Sequence, residues 1–151
     1  ILGIGLPGHF IVKFTPSDPE LQAEWIDVFN RGKRLTDDDL NRHLRERGLR
    51  MTPAFLEPQS TKQIIERMIR NLLGLAEGDR NDRRVLRYLE LLVGISPDNP
   101  EFRAKRLEMR ARTDHPEAAM EDAEWFIEHQ PEGIDIYQLQ QLKARLESKL
   151  K

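Results

Sequence analysis

The sequence predicts a mostly α-helical protein in which a short antiparallel strand pair precedes an array of helices. Three observations predict this fold class. The first 30 residues are rich in Gly, Pro, Phe and β-branched residues, as strands and turns are. From Thr36 onward, apolar residues recur at intervals of three and four, which is the period of an amphipathic helix. Pro, Gly, Asn and Asp cluster between these periodic segments, so the helices are expected to be separate and joined by turns.

Length and composition limit the function classes. A chain of 151 residues suggests one domain or two small ones. The sequence has no cysteine, which excludes disulfides, thiolate metal sites and a thiol nucleophile within it, and which fits a reducing, cytoplasmic location. No apolar run approaches the ~20 residues that span a bilayer, so no membrane association is expected. Because the first residue is Ile1 and not Met, we expect a piece of a longer or processed protein.

Charge is unevenly distributed along the chain. The net charge is −2, but residues 31–112 carry 19 bases and 13 acids, while the segments on either side are acidic. Sixteen of the 17 arginines lie in this basic middle block. Such a block is typical of a solvated helical surface, and nucleic-acid binding is the alternative that it leaves open.

Two strands are predicted in the first 30 residues. His9–Phe14 follows a Pro7-Gly8 turn, and Glu24–Phe29 ends at a second turn over residues 30–33. We expect these strands to pair in antiparallel orientation.

The helices begin at Thr36, which with Asp39 forms a capping-box pattern. Residues 51–59 contain two prolines and are predicted to be a loop. Helices are predicted over residues 37–47, from about 61 to the glycines at 74 and 78, 82–95, 100–112, 116–130 and 134–151. The inward face of the second helix is predicted to be the stripe Ile64, Ile65, Met68, Leu72 and Leu75. The last helix is predicted to present Ile136, Leu139, Leu142, Leu146 and Leu150 on one face.

The helical segment contains a repeat. Pro97 and Pro131, which each close a helix, are 34 residues apart, and at this offset Val85 aligns with Ala119 and Leu92 with Phe126. A 34-residue helix–turn–helix period resembles that of tetratricopeptide repeats. A generic antiparallel helix array is the alternative. The predicted organisation is therefore a strand-containing region over 1–58, two degenerate helix pairs over 60–131 and a capping helix over 134–151.

Among the histidines, His9 differs from the other three. It opens a strand after Pro-Gly, and Asp27 lies in the next strand, so the two side chains are candidates for an imidazole–carboxylate pair. The alternatives are a structural strand histidine and a turn-capping aspartate. His43, His115 and His129 are interpreted as surface residues. The spacing of the histidines predicts no metal site, and no motif predicts a cofactor.

The stretches Gly5–Val12 and Trp25–Asn30 resemble the second half of a transglutaminase-like core of the SirB type, a bacterial family in which tetratricopeptide-like helices follow the core. The helix Glu66–Leu72 and the turn Ser96–Asp98 also resemble this family. The resemblance implies a Cys–His–Asp arrangement in which His9 and Asp27 are catalytic, while the cysteine would lie upstream of Ile1. Val28 and Arg31 stand where the family often has Pro and Gly.

Two functions follow as hypotheses. The chain is expected to be a catalytically incomplete part of a transglutaminase-like protein, whose whole could be a peptidase, an amide transferase or a non-catalytic relative. Its helical region is expected to bind a protein or peptide, because stacked helices present an extended surface. The candidate contact residues are Arg67, Arg70, Asn71, Arg103 and Arg106. A regulatory or nucleic-acid-binding scaffold that uses the arginine-rich block is the alternative.

Overall fold

The computed structural model describes residues 1–149, with the Lys149 side chain excepted, and divides the chain into two compact units. The first unit covers residues 1–65 and the second begins at residue 66. The predicted fold class is confirmed at the level of a mostly helical protein with a small antiparallel sheet. Leu150, which the sequence placed on the apolar face of the last helix, lies outside the described residues.

A four-stranded antiparallel sheet forms the centre of the first unit, with the strands in sequence order. Its strands are β1 (Leu2–Leu6), β2 (His9–Phe14), β3 (Glu24–Asp27) and β4 (Lys33–Leu35). The predicted pairing of β2 with β3 is confirmed. The sequence did not predict β1 and β4, and it extended β3 two residues too far, to Phe29.

Strand β1 contains two glycines, which weaken the pattern of a strand interior. Both glycines are needed where they stand. A Cβ at Gly3 would lie 2.7 Å from the Phe10 ring, and one at Gly5 would overlap the side chain of Gln59. The outer edge of β1 is also covered, since the Gln59 amide donates to the Gly3 carbonyl and a bridge joins Ile4 to Pro58. The strand therefore depends on residues far along the sequence, which no local pattern reveals.

Helix α1 (Asp37–Arg45) begins with the predicted capping box, in which Thr36 and Asp39 each bind the other's backbone amide. Its buried residues are Leu40 and Leu44. Leu40 joins the core of the inner sheet face, which contains Ile4, Leu6 and Ile11, with Trp25, Leu35, Met51, Phe55 and Leu56 packed against them. Residues 51–59, predicted to be a loop, contain a short 3-10 turn at Pro53–Leu56.

The remaining helices agree closely with the predicted segments. They are α2 (Thr61–Gly78), α3 (Asp82–Ile95), α4 (Pro100–Arg112), α5 (Pro116–His129) and α6 (Ile136–Lys149). Asparagine side chains cap α3 and α4. Among the described residues, no helix has the length and apolar character that crossing a membrane requires.

The predicted inward face of α2 is wrong. Leu73 and Ala76 are buried in a cluster with residues of α3 and α4, and Ile69 packs against that cluster. Four of the five residues of the expected stripe are exposed instead, with exposed fractions of 44% for Ile65, 60% for Met68, 40% for Leu72 and 62% for Leu75, while Ile64 is half-buried. Helix α2 therefore has two apolar faces, and only one of them is packed.

The 34-residue offset is reflected partly in burial. Val85 and Ala119 are both buried, as are Leu92 and Phe126, which the offset also aligns. The offset fails at Met68, which is 60% exposed while its counterpart Phe102 is 2% exposed. The tetratricopeptide relationship stays a prediction.

Helices α3, α4 and α5 are joined by a buried ion network. The Asp122 carboxylate is fully buried and accepts from the guanidinium groups of Arg103, Arg106 and Arg110. Glu90 of α3 accepts from Arg106 and Arg110. Burial opposes the charge on Arg106, but its bonds to Asp122 and Glu90 outweigh this cost and raise its pKa above the usual value.

Candidate functional site

His9 is positioned by the hairpin that joins β1 to β2. It is the first residue of β2 and pairs with Leu6, so the loop contains only Pro7 and Gly8. Gly8 has φ +70°, a conformation that glycine adopts without the steric cost of a side chain. His9 lies on the same face of β2 as buried Ile11, because residues two apart in a strand point the same way.

Asp27 is positioned by the end of β3. One step beyond the pair of Val12 with Ile26, Asp27 falls opposite Ile11 and therefore diagonal to His9. Its Oδ1 accepts from the backbone amides of Phe29 and Asn30, at 3.0 and 3.1 Å. The carboxylate therefore also caps the turn that follows, so the pairing and turn-capping interpretations both hold for this residue.

The structure brings His9 and Asp27 together. His9 Nε2 lies 3.1 Å from Asp27 Oδ2, and the two side chains are 25% and 12% exposed. Since a carboxylate only accepts, the proton of a neutral His9 ring is on Nε2 and the lone pair is on Nδ1. Burial raises the pKa of Asp27, but hydrogen bonds from His9 and the turn amides outweigh it, and the net pKa is lowered. The carboxylate thus stays ionised and fixes the tautomer that a general base requires.

A third residue at this site is His43, which the sequence analysis interpreted as a surface residue. His43 of α1 is half-buried, and its ring centroid lies 5.3 Å from that of His9. Its Nε2 binds the Pro7 carbonyl at 3.0 Å. Sequence reasoning missed it because these partners are 36 residues apart, and His43 has no local pattern that distinguishes it from an exposed helical histidine.

A small cavity of about 160 Å³ opens beside the pair, and its lining includes His9, Asp27, Arg42, His43 and Glu46. This volume is below the roughly 300–1,000 Å³ of ordinary small-molecule pockets. Within residues 1–149, no group of three or more histidine or acidic side chains is arranged to hold a metal ion. The site therefore consists of a partly solvent-exposed imidazole, that of His9, which is held by the carboxylate of Asp27.

The predicted partner-contact residues lie in two different environments. Arg103 and Arg106 point into the Asp122 network, with side chains 14% and 10% exposed, so this placement argues against them as a contact surface. Arg70 lies over the Phe102 ring and binds Glu66, which also accepts from Ser96. Asn71 is exposed and Arg67 is half-buried, and both are on α2.

Comparison with known proteins found a similarity that covers the first unit and the start of the second. Residues 1–70 match the family model of the transglutaminase-like superfamily. Neither the curated proteins nor the solved structures gave a significant match to the chain. The matched segment contains both His9 and Asp27, and it ends within α2. The SirB-type relationship stays a prediction.

Proposed function

We propose that the transglutaminase-like region provides the base and its orienting carboxylate for a cysteine-type acyl transfer. In this proposal His9 takes the proton of a thiol that the present sequence does not supply, and Asp27 holds the ring. The observation that carries the proposal is the 3.1 Å contact between His9 Nε2 and Asp27 Oδ2. The family match over residues 1–70 supports it independently.

The roles follow from ordinary triad chemistry. With Nε2–H bound to Asp27, Nδ1 is the nitrogen that carries the lone pair and accepts the proton of the nucleophile. The imidazolium that results is stabilised by the ionised Asp27 carboxylate, whose lowered pKa keeps it charged. Because the sequence has no cysteine, the chain alone is expected to be inactive in acyl transfer.

The test is the tautomer of His9 in the Asp27→Asn variant. The turn amides of Phe29 and Asn30 already donate to one oxygen of residue 27, so the single oxygen of an asparagine is expected to remain with them. The side-chain NH₂ would then face His9 Nε2, which becomes an acceptor, and the ring proton moves to Nδ1. Long-range ¹H–¹⁵N spectra distinguish these tautomers. The exposed Asp98→Asn variant is the control, and an unchanged His9 tautomer in Asp27→Asn would contradict the proposal.

We also propose that the second unit binds a protein or peptide partner through helix α2. The supporting observation is the exposed apolar stripe Met68, Leu72 and Leu75, which we call the α2 stripe. By helical spacing, Asn71 and Arg67 flank this stripe. An apolar centre with a polar rim, rich in Met and Arg, is the composition of protein interfaces.

Nucleic acid is the less favoured partner. At least eight of the 16 arginines in the middle block are engaged in ion pairs with acidic side chains, which reduces the positive charge open to phosphates.

The test of the α2 stripe compares capture of one partner by the wild type, Leu72→Asp and Leu91→Asp. Leu91 is 48% exposed on α3, outside the stripe, and serves as the control. We expect only Leu72→Asp to lose the partner, and equal capture by all three would exclude the stripe.

A further inference from the structure

We propose that His43 and Arg47 form a clamp on the Pro7–Gly8 turn and that His43 is a positioning residue for His9. This inference rests on the proposed role of the His9–Asp27 pair and adds the device that holds the imidazole in place. His43 lies in the last turn of α1, and Arg47 lies in the turn that directly follows this helix. The turn they contact directly precedes His9.

The hydrogen bonds of the His43 ring define its protonation. Nε2 lies 3.0 Å from the Pro7 carbonyl oxygen, which can only accept, so Nε2 carries a proton. Nδ1 lies 3.2 Å from Arg47 Nη1, which can only donate, so Nδ1 carries the lone pair. Both ring nitrogens are used, and the ring is the neutral Nε2–H tautomer. Arg47 Nη1 also donates to the His43 backbone carbonyl at 2.9 Å, which holds the guanidinium against the last turn of α1.

Arg47 lies across the same turn. A Cβ at Gly8 would be 2.9 Å from Arg47 Nε and 3.5 Å from Nη2, so the guanidinium occupies the space that the missing side chain leaves. The loop between β1 and β2 is thus held at the Pro7 carbonyl by His43 and covered at Gly8 by Arg47. A two-residue loop has little freedom once one carbonyl is fixed, and the direction of the next residue follows from it.

The clamp also reaches the His9 ring directly. The centroids of the His9 and His43 rings are 5.3 Å apart, and the ring planes are tilted by 40°. The Phe29 ring contacts His9 as well, with a centroid distance of 5.9 Å. Asp27 determines the tautomer of the His9 ring. His43 holds the backbone of the turn that precedes His9, and its own ring contacts the His9 ring. These are separate contributions, so they can be separated by mutation.

The experiment uses the ¹⁵N-labelled chain at neutral pH and follows the His9 ring by long-range ¹H–¹⁵N spectra and by exchange of its Nε2 proton with water. His43→Leu removes the donor to Pro7 and leaves Asp27 in place, so we expect the Nε2–H tautomer of His9 to persist. We expect the Nε2 proton to exchange roughly fivefold faster, because a loosened Pro7–Gly8 turn weakens its hydrogen bond to Asp27. His43→Gln keeps an N–H that reaches the carbonyl, and we expect it to restore the wild-type signature. His129→Leu, which changes a surface histidine of α5, is the control and should leave His9 unchanged.

A second variant covers the case in which His43→Leu does not fold. Arg47 is exposed, and Arg47→Met removes the bond to His43 Nδ1 without emptying the core, so we expect a smaller increase in the exchange rate of the His9 Nε2 proton. An exchange rate that is unchanged in both variants would overturn the clamp, as would His43→Gln behaving like His43→Leu. If the wild-type His9 is not in the Nε2–H form, the proposed base role fails. The clamp is then still judged from the backbone amide shifts of Gly8 and His9 in the variants.

Discussion

The Asp27 carboxylate binds His9 with Oδ2 and the turn amides of Phe29 and Asn30 with Oδ1. Because all these partners stabilise the ionised form, the pKa of Asp27 in the folded chain lies below the unfolded value of 3.8, despite the opposing effect of burial. Folding is therefore coupled to the ionisation of this residue.

The first prediction concerns pH. A carboxylate whose pKa is lowered by folding contributes stability above its unfolded pKa and loses it as pH falls through its folded pKa. We expect the wild type to be more stable than Asp27→Asn at pH values well above 3.8, and the difference to shrink as the pH falls below that value. Urea unfolding across this range measures it. Asp98→Asn is the control, and a difference between wild type and Asp27→Asn that does not change with pH would contradict the coupling.

The second prediction concerns the start of α1, the helix that carries His43. Thr36 Oγ1 accepts from the Asp39 amide, so Thr36→Ala leaves that donor without its cap. We expect a loss of about 1 kcal/mol in the free energy of unfolding. Thr52→Ala is a matched control, because Thr52 precedes the 3-10 turn and makes no side-chain capping bond. Equal losses in the two variants would show that the cap is not the cause.

The third prediction concerns Arg31, which has φ +53° and precedes Gly32 with φ +75°. The Lys33 amide donates to the Asn30 carbonyl, so Arg31 and Gly32 are the two central residues of a turn that needs positive φ at both. Arg31→Gly is expected to stabilise the first unit by about 0.5–1 kcal/mol, since glycine adopts this conformation without steric cost. Arg50, a loop residue without positive φ, is the control, and Arg50→Gly should not stabilise. Thermal melts of both variants decide between these outcomes.

The fourth prediction concerns Asp122. Asp122→Asn removes the charge that balances Arg103, Arg106 and Arg110, of which the last two are buried, and breaking a buried ion pair typically costs about 3–5 kcal/mol. Glu121→Gln is the adjacent control, because Glu121 is 71% exposed and its ion pair with Arg110, at 3.3 Å, lies at the surface end of the network. We expect urea unfolding to show a large loss for Asp122→Asn and almost none for Glu121→Gln. Similar losses of unfolding free energy in the two variants would mean that the Asp122 network stabilises the fold no more than exposed ion pairs do.

The sequence predicts those features of the first unit that depend on local chemistry. The Pro7-Gly8 turn, the capping box at Thr36 and the β-branched and aromatic residues of β2 are read from neighbouring residues. The two predicted strands are what indicate that His9 and Asp27 could meet. His43 could not be predicted in this way, because its partner Pro7 belongs to another element. The same limit explains β1, which depends on the residues at 58 and 59.

The second unit shows a different limit. Arg103 and Arg106 were assigned to the surface because they are charged and three residues apart, a spacing that fits a solvated face and a buried network equally. Which of these holds depends on Asp122, which lies 19 and 16 residues further along. Periodicity alone identifies a helix face without stating what packs on it.

The last prediction tests the two apolar faces of α2. Leu72 and Leu73 are adjacent and identical in size, yet Leu72 is 40% exposed and Leu73 is 4% exposed. Leu73→Ala should create a cavity in the cluster with α3 and α4 and cost about 2–5 kcal/mol in the free energy of unfolding. Leu72→Ala should cost about 0.5 kcal/mol or less, since it removes an exposed side chain without opening the core. Urea denaturation of the two variants gives the comparison. A larger loss of unfolding free energy for Leu72→Ala than for Leu73→Ala would mean that the face containing Leu72 is the packed one, as the sequence predicted. The α2 stripe could then not be a surface for a partner.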